Sequence, residues 1–501
     1  MPFGQFVAPV VFPRAIHLRS SLLKAVAFAG VLSCLAPAAV FATPAPIMSE
    51  ETDSSQSTGD SDASSGFLSG VSRSSAMLGD MGGLRPWLGR YGVSFALQET
   101  SEVLGNVSGG IHQGFDYDGL TQMVVQMDTQ RAFGLYGGTF NISALQIRGR
   151  NLSADNLGTL QTSSGIEADR ATRLWELWYD QKFLNEDRLD VKIGQQSLDQ
   201  EFMVSQNANL FVNTMFGWPM LPSADMPGGG PAYPLSAPGV RLRGRPTDSI
   251  TVMAGVFNGS PAVNNSGDSQ QVNPSGTSFP LNGGALTIGE VQYAFPSLGS
   301  MVSPDDAHPL SGTYKLGVWY DTENFADQEF DSNGISLATS PTGYPMQHRG
   351  DYGIYAVADQ MLWQSDEPGE AEHVLSFFTR VMGTPQADRN AVDFSMNAGF
   401  TLHEPFEHRD DDTAGIGVGY AHVSSRLAAL DQDMTAAGTY TPTQTGETYV
   451  EATYQYQVFP WWIVQPDFQY IFNVGAGAVN PNTGDKIKNE AVLGVRTTIS
   501  F

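Results

Sequence analysis

The sequence predicts an all-β fold, a transmembrane antiparallel β-barrel of about 16 strands with an infolded helix-bearing loop, and three observations carry that prediction. From Trp87 to the end, segments of roughly ten residues repeat a period-2 alternation of apolar and polar side chains. Charged residues make up 16% of the 501-residue chain while hydrophobic residues hold at 41%, against roughly 25% charged in an ordinary soluble domain. The connections between segments alternate short with long, as periplasmic turns and extracellular loops do.

The same composition excludes other classes. After residue 42 no apolar run approaches the ~18 residues of a membrane helix. With 52 acidic against 26 basic residues, the net charge of −26 removes nucleic acid as a partner. Aromatic residues at 11% are too many for a long disordered chain. The sole cysteine, Cys34, builds neither a disulfide scaffold nor a cysteine-ligated metal centre.

Three regions follow in order. Residues 1–42 read as a signal peptide: Arg14, Arg19 and Lys24 flank an apolar stretch from Ala25 to Val40 that ends in small residues near Ala42. A minority alternative takes Val31 to Cys34 as a lipoprotein box, leaving Cys34 acylated. Residues 43–83 form a Ser/Asp-rich tether and lead-in with little to bury. Residues 84–501 form the barrel.

Within it, strands are expected near 92–102, 119–131, 138–148, 172–183, 189–199, 239–246, 249–258, 286–295, 312–322, 351–363, 372–383, 391–402, 414–423, 447–457, 461–473 and 490–501. Short connections such as 184–188 and 245–249 fall on the periplasmic side, and long ones (149–171, 200–238, 259–285, 323–350, 424–446, 474–489) outside. The short 384–390 and the long 296–311 break the rule, so fourteen or eighteen strands remain alternatives. In the last strand Leu493, Val495, Thr497, Ile499 and Phe501 share the lipid face, and Gly494, Arg496, Thr498 and Ser500 the wet one. Trp175, Leu177 and Tyr179 are placed outward, alternating with inward Glu176 and Asp180.

No catalytic constellation appears, and neither a cofactor nor a metal is called for. In the segment from His403 to His408 the two histidines stand five apart around Pro405, which forbids the helix a zinc motif needs. The run Gly415-Ile416-Gly417-Val418-Gly419 alternates as a strand, so it is no dinucleotide loop. Arg241, Arg243 and Arg245 occupy alternate positions and point one way. Facing lipid they would cost roughly 2–4 kcal/mol each near the midplane, so they are assigned to the lumen, with Glu176, Asp180 and the Asp190/Lys192 pair expected to oppose them across the pore. The stretch 200–238 begins as an amphipathic helix-like piece, Gln200 to Gly217, and is too long for a loop without a task. Folded into the mouth it would set Trp218 and Tyr233 beside a passing solute, and aromatic faces with polar edges suit sugars.

Residues 192–259 (KIGQQSLDQEFMVSQNANLFVNTMFGWPMLPSADMPGGGPAYPLSAPGVRLRGRPTDSITVMAGVFNG), with LRPWLGRYGVSF at 84–95 and RLWELWYDQKF at 173–183, resemble the OprB-type carbohydrate-selective porins. The resemblance implies a sixteen-stranded outer-membrane channel for passive uptake of glucose and related sugars. It also implies a constriction shaped by charged residues, among them Arg241, Arg243 and Glu201. Partners expected of such a protein are small sugars, outer-membrane lipid and lipopolysaccharide, and the barrel-assembly machinery through the strand ending at Phe501; a homotrimer is left open. The alternatives are a general porin without sugar preference and a secreted β-rich carbohydrate-active enzyme.

Overall fold

The structure, a computed structural model, describes residues 75–263, 268–281, 283–296, 310–365 and 373–501. The signal peptide, most of the tether and most of 296–311 lie outside the described residues. Sixteen antiparallel strands close into one barrel in which every strand pairs with its sequence neighbours and β1 pairs with β16. They are β1 (Val93–Ser108), β2 (Gly114–Asp128), β3 (Gly138–Gly149), β4 (Ala171–Phe183), β5 (Leu189–Gln196), β6 (Ala237–Gly244), β7 (Ile250–Asn258), β8 (Ala285–Phe295), β9 (Gly312–Asp331), β10 (Pro345–Gln364), β11 (Val374–Gly383), β12 (Val392–His403), β13 (Thr413–Val423), β14 (Gly446–Phe459), β15 (Trp462–Phe472) and β16 (Glu490–Ser500). All sixteen expected segments are strands. Closure leaves no unpaired edge, which the bilayer core demands because lipid cannot hydrogen-bond a bare backbone.

The alternation sorts as expected around most of the wall. On β9 Leu316 and Val318 stand exposed on the lipid face, while Lys315, Trp319 and Asp321 are buried inside. On β15 Phe468 and Phe472 face out; Gln465, Asp467 and Gln469 face in.

Two expectations need correction. The register between β3 and β4 shifts at Ser143/Ala144, so Trp175 turns inward with Glu176 instead of joining Leu177 and Tyr179 outside. Inside it is almost fully buried, its ring edge-on to Tyr233 at 6.2 Å. A bulge inserts one residue and reverses the alternation locally, so strict period-2 counting across 172–183 fails. Second, 323–350 is mostly strand. β9 and β10 pair as far as Asp331 and Pro345, rising beyond their neighbours as a hairpin on which the helix Ser425–Ala436 docks through Arg426 and Glu329 at 2.7 Å.

At the periplasmic rim the lead-in closes the seam. Helix α1 (Leu84–Gly89) precedes β1. The Arg85 guanidinium donates to the Phe95 carbonyl at 2.8 Å and to the carbonyl of Phe501, and Met77 N donates to Ser500 O at 2.7 Å. One side chain thus ties the first strand to the end of the last. Arg85→Ala removes two charge-assisted hydrogen bonds of about 1.5–3 kcal/mol each at most, and the expected result is a lower unfolding temperature for the barrel in heat-modifiability gels.

The turn after β12 is organised by Asp412. Its carboxylate accepts from Arg409 Nε at 2.8 Å, Arg409 Nη2 at 2.6 Å, Gln457 N at 2.8 Å and the Tyr454 hydroxyl. Burial alone would push this carboxyl up, but the hydrogen bonds and the Arg409 charge outweigh it and hold it below its ordinary value. A carboxylate depressed in the folded state adds stability above its unfolded pKa and loses it as pH falls through the folded value. Asp412→Asn should therefore melt earlier than the parent at pH 7, by about 2 kcal/mol, and the gap should close in melts taken at progressively more acid pH.

Candidate functional site: a loop clamped inside the barrel

The connection from Ser197 to Ser236 turns into the lumen directly after β5. It is no continuous helix over 200–217; the chain breaks into single turns at Leu198–Gln200, Asn207–Leu210, Thr214–Gly217 and Met220–Asp225. The reason lies in the wall. Side chains from the inward rows take the loop's backbone groups one after another, and groups held by the wall cannot also close helical turns. Glu290 on β8 accepts from Met203 N at 2.9 Å, and Lys315 on β9 donates to Val204 O at 2.7 Å. Asp359 on β10 accepts from Ser205 Oγ at 2.6 Å and Asn207 N at 3.1 Å. Glu451 on β14 accepts from Val212 N at 2.6 Å and Asn213 N at 3.0 Å. Arg380 on β11 donates to the carbonyls of Met203 at 3.1 Å, Met215 at 2.8 Å, Gly217 at 2.6 Å and Phe216.

Between these polar ties the loop packs against a bare strip of wall. Phe211 and Phe216 stack at 4.3 Å, and Phe216 meets Phe378 at 5.7 Å and Tyr449 at 5.3 Å, both edge-on. The rings fit because β13 presents glycine inward. A Cβ at Gly417 would lie 2.5 Å from the Phe216 ring and one at Gly415 2.5 Å from Leu210. The alternating glycines that are no nucleotide loop are the floor of this cluster.

The predicted aromatics are packed away from the lumen, Trp218 among the loop's apolar side chains and Tyr233 against Trp175, Leu120, Leu145 and Ile147 of the wall. Trp218 and Tyr233 are fully buried; Trp218 Nε1 donates to Gly229 O at 2.9 Å and the Tyr233 hydroxyl to Ile166 O at 3.1 Å. They brace the loop and do not stand beside a solute. Asp199 accepts from Tyr233 N at 3.0 Å and from Ser197 Oγ at 2.5 Å; burial pushes its carboxyl up to about 6 against those hydrogen bonds.

The charged residues converge, though beside one another and not across the lumen. β4, β5 and β6 are neighbours, so Asp180, Asp190 and Lys192, and Arg241 and Arg243 share one patch of wall. Asp190 takes both arginines, Arg243 Nε at 2.7 Å and Arg241 Nη1 more closely. Arg241 also lies 3.7 Å from Asp180. The loop adds Glu201, with Oε2 2.6 Å from Arg241 Nε and Oε1 in contact with Lys192. Lys192 Nζ sits 4.3 Å above the Trp178 ring, a cation–π contact. Glu201, Lys192 and Arg243 keep 16%, 11% and 11% side-chain exposure, whereas Arg241 and Asp190 are sealed at 2% and 3%; the first three are the groups that water reaches. Glu176 turns to the loop's root and accepts from Ser197 N at 3.1 Å. Arg245 lies past the end of β6 and donates to Glu186 O at 2.6 Å, bracing a periplasmic turn.

A closed sixteen-stranded cylinder with an apolar belt, a charged interior and a loop drawn into its lumen is a channel. The sequence profile described as "Carbohydrate-selective porin, OprB family" matches residues 112–501. The chain belongs to the OprB family of carbohydrate-selective porins. It is 25% identical to Porin B of Pseudomonas aeruginosa over 454 residues, 85% of this chain and 91% of that protein. The structure of Pseudomonas putida OprB at high pH superposes with a TM-score of 0.71 at 25% identity, covering 86% of this chain and 99% of that one. The low-pH structure of the same protein gives 0.51 at 19% identity, with the same coverage. As an OprB porin the chain is a transport channel of the bacterial outer membrane.

Lys192, Trp178, Arg380, Asp359, Glu290 and Glu451 complete the site and were not among the sequence's candidates for it, apart from Lys192 as the neighbour of Asp190. All but Trp178 are charges on the inward row of their strands, and an inward charge in an alternating segment is the signal that finds them. Arg380→Met strands four buried carbonyls and should destabilise the loop by about 3 kcal/mol or more. The expected readings are a lower melting temperature and noisier, larger single-channel currents.

Proposed function

We propose that this OprB porin conducts glucose and related small sugars down their gradient, and that selection occurs at the patch formed by Glu201, Lys192 and Arg243. The observation that carries the reading is the mixed, nearly neutral set of ions at the seam between loop and wall, half of it sealed and half reached by water. Hydroxyls donate to Glu201 and accept from Lys192 and Arg243, so a sugar can exchange hydration for contacts of either kind. Because each ion already has a partner, each contact is weak enough to release the solute. Arg241 and Asp190 act behind them as positioning groups that hold Arg243 and Glu201 in place.

The other partners we infer follow from position: outer-membrane lipid against the apolar belt, lipopolysaccharide at the outer loops, and the barrel-assembly machinery at the strand ending in Phe501. In liposome swelling, glucose should enter faster than a charged sugar acid of similar size. Replacing Arg241 and Arg243 together by alanine should raise ion conductance and cut glucose entry relative to that conductance by about tenfold, the size of a lost charge-assisted contact of about 1.5 kcal/mol. Equal swelling by all small solutes in the parent protein identifies a general porin instead.

A further inference from the structure

Beyond the outer end of the barrel, the β9–β10 hairpin is fastened to the segment 384–391, between β11 and β12, by a compact set of charges. His348 on β10 sits between two carboxylates. Its Nε2 lies 2.7 Å from Asp327 Oδ2 on β9, and its Nδ1 lies 3.7 Å from Asp388 Oδ2 on the segment. Asp327 is fixed as an acceptor, because its other oxygen takes Glu329 N at 2.8 Å and Phe330 N at 2.7 Å. Asp388 is paired with Arg389 at 3.0 Å, and that hydrogen bond holds its carboxyl below the ordinary value. Arg389 also donates to Gly350 O at 2.5 Å, and Gln328 N donates to Asp388 O at 2.8 Å. Arg426, on the helix Ser425–Ala436, pairs with Glu329. Asp351 on β10 is taken by Asn390 Nδ2 at 2.8 Å, and Arg349, the chain neighbour of His348, is exposed. Among the described residues, the charges gathered at the ring are therefore Asp327, Glu329 and Asp388 against Arg389 and Arg426.

A neutral imidazole has one proton for two nitrogens, so with a carboxylate at each it always turns a lone pair toward an anion. In that state three acids oppose two guanidiniums. Protonation supplies the missing donor and the missing charge together. The same segment is gripped from the other side by the luminal loop, where Asp225 Oδ1 accepts from Ala391 N at 3.1 Å and Val392 N at 3.3 Å. Ala391 O in turn accepts from Ser424 N at 2.9 Å, at the start of the docked helix. We propose that His348 is a proton-operated clasp: its protonation draws the hairpin onto the segment 384–391 and tightens the outer anchor of the luminal loop. The ring holds both carboxylates only when charged. The clasp is therefore closed in acid and loosens as pH rises through the range in which histidine gives up its charge, roughly pH 5 to 8. It acts on the loop, so it works alike whichever solute passes.

The test is single-channel recording of the purified barrel in planar bilayers at about pH 5.5 and about pH 8, either side of that range. Open-channel current fluctuations in the parent should be several-fold more frequent at the higher pH. His348→Gln, which keeps a polar side chain but cannot charge, should fluctuate at the parent's high-pH rate under both conditions. His422→Gln is the control, because His422 is also paired with a carboxylate, Asp393 at 2.6 Å, yet does not face Asp388; it should keep the parent's pH dependence. No difference between the two pH values in the parent, a difference of the opposite sign, or a dependence that survives in His348→Gln overturns the proposal. So does a dependence that disappears in His422→Gln. Should His348→Gln not fold, as judged by heat-modifiability, Asp388→Asn decides: it removes the carboxylate at Nδ1 and should flatten the pH dependence in the same way, and an undiminished dependence there overturns the clasp.

Discussion

The interior of this barrel is governed by one constraint: a charge on the inward row must find a partner once the lumen is filled. Asp359, Glu451 and Glu290 find theirs in backbone N–H groups, and Arg380 in backbone carbonyls. The loop from Ser197 to Ser236 supplies both kinds. The loop depends on the wall, because undocking would expose Phe211, Phe216 and Trp218. Buried ions bound to fixed backbone dipoles are also directional, so the wall dictates the path of the loop turn by turn and overrides its helical periodicity.

That division of labour explains how one barrel can be rigid and permeable together. The wall from β8 to β16 is occupied with holding the loop. The wall from β4 to β6 is occupied with its own ion pairs, and it receives from the loop a single carboxylate, Glu201, brought down to the level of Lys192 and Arg241. On the proposed reading, selectivity rests on the far anchors as much as on the near ones, because Arg380 and Glu201 belong to one continuous loop clamp. Global charge is a poor guide to such a site. The chain carries −26, yet the patch sets Asp180, Asp190 and Glu201 against Lys192, Arg241 and Arg243 and is balanced.

Strand number, order and facing were legible because lipid on one side and water on the other impose a two-residue period that few other environments sustain. Where a bulge intervenes the period reverses, and Trp175 was read to the wrong face for that reason alone. Arg241 and Arg243 were legible from the cost of exposing them to hydrocarbon. Their partners were legible only as nearby charges, since pairing between β4, β5 and β6 makes them neighbours where spacing suggested opposition across a pore. Trp218 and Tyr233 were misread because burial between loop and wall leaves the same sequence trace as exposure in a channel mouth. Glu201 came from family resemblance, as nothing in its local spacing says that the loop descends.

The lipid face shows the same economy from the other side. The outward rows of β1–β3 carry Glu99, Ser101, Tyr117, Thr121, Gln146 and Arg148, and Gly119 gives up strand packing to admit Arg148 and Tyr117. Glu99 and Arg148 lie two strands apart, too far to be explained as accidents of one alternating segment, and Thr121 on the strand between them completes the bridge. The inward rows are charged where a loop must be held, and the outward rows are apolar wherever acyl chains suffice. On the outward face of β1–β3, Glu99, Thr121 and Arg148 satisfy one another across three strands, so the belt holds no unpaired charge there.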